Sequence, residues 1–327
     1  MLRVVQDILI GGKHHFRRAE RVTVRSGWKQ LGDKAEVVLP FRPEYLHPEG
    51  TGQSGAKGIA AGDTIEIKLG YQGNVRTEFK GWVVKVQQKG TQLHLSCEDD
   101  FYRLRKVRVK GYRTKTVFDQ HVAPLFAQNG FDLVSEGVSK IEFGAWKYDY
   151  TLASVCEKLA KVGIYSYFRD GKLYMGLAYS FPEQLGRVAY KSGENVMRWE
   201  LASRDKETVK VRVKAIGILR TGDNTQRYLE GVAGDPDGEV IKLYYYGVES
   251  VSYLNAQAEE ELRKYKFDGF EGHIRTWALP FVLHGMTADI NDEDRADGSG
   301  AYYVDQVVTE STPTSVERNV HLGIKLS

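Results

Sequence analysis

The chain has 327 residues, with 46 Lys and Arg against 43 Asp and Glu, a formal net charge of +3. So small an excess argues against a nucleic-acid binder or a membrane-surface protein. With 42% hydrophobic and 27% charged residues, no run near the ~20 apolar residues of a membrane helix and no secretory leader in its first eight residues, the sequence predicts a globular protein of two or three domains. It is expected to be made and kept in a cytoplasm, without membrane insertion, unless it leaves inside a larger assembly.

In chain order, residues 21–24 and 35–40 alternate apolar and polar, with Gly32 and Asp33 as a turn. Such alternation buries one side of a strand. The pattern then stops: Pro43, Pro48, Gly50, Gly52, Gly55 and Gly58 mark residues 41–61 as a long polar loop. Unstructured loops of ~20 residues in a compact domain tend to be functional or to order on assembly. Residues 62–98 read as an antiparallel meander, most of a small barrel. Ile65, Ile67 and Leu69, then Trp82, Val84 and Val86, then Leu93, Leu95 and Cys97 fall at every second position. Residues 70–74 and Lys89-Gly90 are the breaks. The segment 101–110, FYRLRKVRVK, is basic enough to contact phosphates, but a strand edge guarded by charge is the simpler reading.

The character then changes. Thr116 with Asp119 three residues on reads as a helix start. Val117, Phe118, Val122, Leu125 and Phe126 follow at near-helical spacing, and Gly130 suits the stop. Pro124 inside this run makes the helix short, kinked or split. A second helix is capped by Thr151, carries Leu152, Val155, Leu159 and Val162 on one face, and stops at Gly163. Two strands, 164–169 and 172–177, close as a hairpin around Asp170-Gly171.

A second copy of the barrel is expected to open near residues 197–201, pause after Ile216 and Gly217, and resume near Leu283. The material between contains a strand at 240–244 and a helix whose Val251, Leu254, Ala258, Leu262 and Tyr265 form one stripe. Glu259 with Arg263 and Glu260 with Lys264 pair on its outer face. The duplication rests on four echoes in the same order. Residues 62–67 match 285–290, 82–86 match 303–307, 93–95 match 320–322, and 33–39 match 205–211. The predicted fold class is therefore mainly β (α+β), with two similar antiparallel β-barrel domains. The first is 1–110; a small α/β domain, 111–190, intervenes. The second barrel is 191–217 with 283–327, and its insertion, 218–282, carries strands and a helix at about 251–266. That insertion is expected at the corner where the first copy has its 41–61 loop.

A search for catalytic chemistry finds none. There is no phosphate loop, nucleophile elbow or His-Glu-x-x-His, so no catalytic, cofactor or metal residue is assigned. His14 and His15 are neighbours, and neighbours on a strand face opposite ways. The acidic run 289–298 hints at calcium, but Asp294 stands where an EF-hand needs Gly, and a solvated hairpin tip fits better. Residues 234–238 are a turn by composition. Cys97 and Cys156 read as free buried thiols. The 19 Tyr residues, including Tyr244, Tyr245 and Tyr246, suit protein interfaces or a sugar platform, though in strands they first of all pack.

One stretch, GDTIEIKLGYQGNVRTEFKGWVVKVQQKGTQLHLSCEDDFYRLRK, resembles the tail hub proteins of contractile-tailed phages, the late control protein D group. It is also similar to the first section of VgrG-like type VI secretion spike proteins. The matching features are the strand, turn and strand of residues 28–40 ending in Pro, Gly62-Asp63 opening a strand, and Phe79-x-Gly81 before residues 83–86. Cys97-Glu98-Asp99 leading to Tyr102-x-Leu104, and the helix at 151–162 before a hairpin, belong to the same set. The resemblance spans most of the chain and is weakest from about 219 to 281.

It implies a non-enzymatic tail or baseplate hub. Three chains form a pseudo-sixfold ring joining the tail tube to the central spike, with a tape-measure protein and DNA or cargo in the lumen. The expected localisation is a virion or injection particle assembled in the bacterial cytoplasm. VgrG-like chains continue into an oligosaccharide-binding-fold domain and a needle. This sequence stops after the second barrel, so the spike is expected to be a separate protein. The residues leave two other readings open, a carbohydrate-binding or adhesin-like β protein and a tail-associated peptidoglycan-cleaving enzyme.

Overall fold

The structure, a computed structural model, describes residues 3–40, 58–113, 116–139, 142–143, 146–161, 164–177, 179, 186–220, 226–246 and 251–326. Most of the loop expected at 41–61 and the helix stop at Gly163 lie outside them. The first sheet half comprises β1 (Val4–Ile10), β2 (His14–Phe16), β3 (Arg21–Gly27), β4 (Lys34–Pro40), β5 (Thr64–Tyr71), β6 (Asn74–Lys89) and β7 (Gln92–Glu98). They lie in the order β3-β4-β7-β6-β5-β1-β2, every neighbour antiparallel. The alternation explains why: Val37, Leu39, Ile65, Ile67, Leu93 and Leu95 all bury into one core, at ~1.5–3 kcal/mol for each fully buried aliphatic side chain.

One expected strand face is corrected. In β6 the core residue is Val83, fully buried, and Val84 is 42% exposed. The cause is a bulge: Val83 pairs with Cys97 and Lys85 with Ser96, leaving Val84 unpaired. An extra residue in a ladder reverses side-chain parity beyond it.

The middle segment holds α1 (Phe101–Leu104), β8 (Arg108–Arg113), β9 (Thr116–Val117), a π-helical turn at Phe118–Val122, α2 (Ala123–Ala127), β10 (Leu133–Glu136), β11 (Glu142–Phe143), β12 (Trp146–Thr151), α3 (Leu152–Ala160), β13 (Tyr165–Arg169) and β14 (Lys172–Gly176). The first expected helix is split, as Pro124 required: Pro124 starts α2 after the π turn. Thr151 caps α3, its hydroxyl accepting from the Ser154 N–H at 3.3 Å. The β13–β14 turn places Asp170 at φ 50° and Gly171 at φ 77°, as a type I′ hairpin demands. The basic segment 101–110 is one helical turn followed by β8, which pairs with β12. Its Phe101 and Leu104 belong to the middle segment's core, with Phe118, Val155 and Leu173.

The last part comprises β15 (Arg187–Lys191), β16 (Val196–Arg204), β17 (Val211–Arg220), β18 (Gln226–Gly234), β19 (Glu239–Tyr246), α4 (Val251–Tyr265), β20 (Gly269–Trp277), β21 (Thr287–Asn291), a 3-10 segment at Glu293–Gly298, β22 (Gly300–Ser311) and β23 (Val316–Lys325). Strands β16-β20-β23-β22-β21-β15 follow the same order as β3-β4-β7-β6-β5-β1. The two series differ at their last pair: β15 runs parallel to β21, whereas β1 runs antiparallel to β5.

The correspondence reaches single hydrogen bonds. Gly62 N–H donates to Val83 O and Val83 N–H to Asp63 O; Gly285 N–H donates to Val304 O and Val304 N–H to Met286 O, all within 2.8–2.9 Å. Asp305 is left out of the β22–β23 ladder where Val84 is left out of β6–β7.

Three of the expected equivalences move. The counterpart of β4 is β20, not residues 205–211, because β20 is the strand that flanks β23. Val320 corresponds to Leu95 rather than Leu93, a two-residue slip that keeps the same face. Residues 211–217 form the centre of a separate sheet, β18-β17-β19, covered by α4. This unit hangs between β16 and β20, the corner that in the first half is the turn from Gly27 to Lys34, not the 41–61 loop.

Candidate functional site

Strand β3 of the first half pairs antiparallel with β22 of the second, from Val22↔Ser311 to Gly27↔Gln306. This pairing merges both halves into one 13-stranded sheet. The seam is the place where the molecule's two similar parts meet, and three sets of side chains lock it.

The first is a buried ion pair. Glu78 sits at a second bulge of β6, where Ile67 pairs with Phe79 and Lys68 with Thr77. Its carboxylate accepts from Arg318 on β23, and from the Thr309 hydroxyl on β22 at 3.1 Å. The side chains of Glu78 and Arg318 are 3% and 1% exposed, so each charge depends on the other. Burial pushes the Glu78 carboxyl up, and Arg318 and Thr309 pull it back. The guanidinium also lies over the Phe281 ring at 5.1 Å and donates to the Pro280 carbonyl at 3.4 Å.

The second lock is the β22–β23 turn, which reaches the first core. Gln6 Nε2 donates to Ser311 Oγ at 2.9 Å, and the Tyr71 hydroxyl donates to the Val316 carbonyl at 3.2 Å. Val316 and Ala278 are members of the first half's core cluster.

The third is an aromatic junction of all three parts. Trp28 from the first half meets Tyr165 edge-on at 4.7 Å and Tyr303 at 6.2 Å. Its indole N–H donates to Asp305 Oδ1 at 3.1 Å, and Lys29 reaches the other carboxylate oxygen at 2.5 Å. Asp305 is the residue that the β22 bulge turns out of the ladder, which explains its reach. From the middle segment, Arg169 donates to the His284 carbonyl at 2.6 Å. The His284 ring stacks edge-on to Tyr167 at 4.8 Å, and burial holds the imidazole neutral, well below its usual range. Tyr165, Tyr167, Tyr174, Tyr179 and Tyr303 pack here rather than forming an open platform.

Elsewhere the weighed residues take plain roles. His15 pairs with Asp7, and His14 occupies the opposite face of β2. Asp292 is buried and holds Arg295 at 2.8 Å, while Asp289 pairs with Arg187. Among the described residues no group of His, Cys, Asp or Glu is arranged to hold a metal. Arg105 of the basic segment makes a forked pair with Glu98 at 2.9–3.1 Å and reaches Glu157 of α3 at 3.6 Å. Lys106 lies 4.0 Å over Tyr102. These charges join the first half to the middle segment. Both cysteines are buried thiols, pushed up to about 12 by desolvation. Among the described residues no helix is long and apolar enough to cross a membrane.

The sequence motif 97–104 also proves architectural. Asp99 accepts from the Asp33 and Phe101 N–H groups, each at 2.9 Å. Trp82 donates to Asp100 at 3.0 Å and stacks on Tyr102 at 5.7 Å. Gly81 is required because a Cβ there would stand 2.3 Å from the Glu98 carbonyl oxygen. Sequence reasoning missed the Glu78–Arg318 pair. A signal existed: Val316, Arg318, Val320 and Leu322 share one strand face, which places an arginine at a core position.

No family model matches the chain, and no curated protein matches it in sequence. Solved structures do. The 43 kDa tail protein of prophage MuSo2 from Shewanella oneidensis aligns over 97% of this chain and 98% of its own, with a TM-score of 0.64 at 11% identity. The tail protein from Neisseria meningitidis aligns over 98% and 96%, with a TM-score of 0.61 at 17% identity. An E. coli component of the type VI secretion system aligns over 98% of this chain and 77% of its own, with a TM-score of 0.62 at 10% identity. The chain therefore shares the fold of prophage tail proteins and of a type VI secretion component, the group that its motifs resemble.

Proposed function

We propose that this protein is a non-enzymatic structural hub of a phage tail or related injection apparatus. Three chains form a ring of six similar positions between a tail tube and a central spike, and the lumen lets DNA or cargo pass. The ring belongs to a particle assembled in a bacterial cytoplasm. The observation that carries this reading is the seam. One chain sets two halves of equal strand order and matching bulges side by side in a single sheet. Three such chains around an axis present six near-equivalent faces, which suits an adaptor between threefold and sixfold partners. The fold shared with tail proteins supports the same conclusion. The tyrosines gathered in the buried junction favour this reading over a sugar-binding platform.

The test is the solution mass of the purified chain by light scattering, alone and with its tube and spike neighbours, followed by electron microscopy. A species of three times the 37.0 kDa chain mass with sixfold features is expected. A chain that stays monomeric even with those neighbours sinks the reading.

A further inference from the structure

The internal seam has a counterpart on the outside of the molecule. Within the chain, the end strand of the first half, β3, pairs with β22. By the strand equivalences, the end strand of the second half is β16 and the counterpart of β22 in the first half is β6. Both corresponding edges lack a strand partner among the described residues. Strand β16 pairs with β20 alone, and on it the Leu201 carbonyl accepts from the Arg295 guanidinium at 2.9 Å. Strand β6 is bonded to the β5 side only as far as Val83, so that edge is free from Lys85 to Lys89.

The side chains behave as an uncovered seam. Val22, Val24, Val307 and Thr309 are buried in the internal one. Their counterparts Trp199, Leu201 and Val86 are only half-buried, and Gln88 is exposed. A long open strand edge is a template for another strand.

We propose that β16 of one chain adds antiparallel to the open edge of β6 in a second copy, in the register of the internal seam. Gln88 then faces Leu201, and Lys89 faces Glu200. The proposal rests on the ring reading above and names the contact that makes the ring. Charge agrees at that position: Lys89 makes no ion pair among the described residues, and Glu200, which already meets Arg198 at 3.4 Å and His273 at 3.2 Å, is 40% exposed; opposite charges facing across antiparallel strands attract. At the other end of the register Lys85 faces Arg204, whose guanidinium is turned inward to the Tyr265 carbonyl at 2.7 Å and to Glu271 at 3.4 Å. The interface is head-to-tail, so it generates a ring or a filament according to whether its rotation closes.

The test is a chain carrying Gln88→Cys and Leu201→Cys, oxidised and run on a non-reducing gel. Covalent multimers ending at a closed trimer are expected, and each single variant gives none. A pair displaced from the register, Gln88→Cys with Arg198→Cys, serves as the control and is expected to link at least tenfold less. The exposed Lys89→Glu, which alters no packed group, is expected to weaken self-association about fivefold, a loss of about 1 kcal/mol. Trimers that form without this crosslink, or that link equally out of register, overturn the pairing and leave the ring standing. A chain that is monomeric at every concentration and with its tube and spike neighbours overturns both.

Discussion

The two sheet halves follow one strand plan with different side chains at the same corners. In the first half the corner beside the β6 bulge is closed by Gly81 lying against the Glu98 carbonyl. In the second half the equivalent residue is Tyr302, fully buried, whose hydroxyl accepts from the Phe270 N–H at 2.8 Å and donates to the Gly298 carbonyl. Beside it the first half places the half-buried Asp33 and the buried Asp99, where the second places Phe270 and Ile324. What the halves hold in common is backbone pairing, bulge position and the turn before the strand. What fills the corner is free to change, because a ladder depends on register and face rather than on any one side chain.

Breaking the seam should have the largest effect. Arg318→Ala strands Glu78 in the core and is expected to cost about 3–5 kcal/mol. Denaturant unfolding followed by Trp fluorescence would read it, and the halves are expected to separate into two transitions. A single unshifted transition would show that the pair does not couple them. Gly81→Ala tests the corner in the first half. Its Cβ meets backbone rather than a movable side chain, so a loss of about 2–3 kcal/mol is expected. Tyr302→Phe tests the same corner in the second half. It leaves the buried Phe270 N–H without its partner and should cost about 1–2 kcal/mol by thermal unfolding.

The smallest effect is a pH profile that only the first half should show. Burial raises the Asp33 carboxyl from 3.8 to about 6, and Asp99 rises with it. The folded state therefore keeps a proton that the unfolded chain releases. The Asp33 contribution is full below about pH 4 and declines as pH rises through about 6, and Asp99, raised well above its ordinary value, adds a decline of the same sign. Asp33→Asn should flatten the decline and raise neutral-pH stability by about 1 kcal/mol, once its partial exposure is discounted. The buried neutral His284 contributes with the opposite sign. Its folded value is depressed, so stability falls as pH drops below about 6.5. The variant should leave that acid limb in view.

Much of this was legible in the chain. The meander, the two hairpin turns, the Thr151 cap and the Pro124 break all arise from local rules, and the matching turns at Gly62 and Gly285 exposed the repeat. Strand β20 was not legible. Gly269 and Gly272 interrupt its alternation, while residues 205–211, DKETVKV, resemble residues 33–39 and took its place. The bulges were hidden for the same reason: a period-two pattern read straight through Val84 assigns the wrong face. The seam was invisible because its pairs, such as Glu78 with Arg318, lie 240 residues apart, where no local spacing carries a signal.

That separation also sets an order of events. Gln6 and Ser311, which bond across the seam, are 305 residues apart, and the first core is incomplete until Ala278 and Val316 reach it. At about 5–20 residues per second of synthesis, the ribosome needs roughly 11–44 s from Glu98, the end of the first half, to Val316 of the closing hairpin. Through that interval the nascent first half carries two unsatisfied edges, β3 and β6, and is a target for chaperones or for a sister chain on the same message.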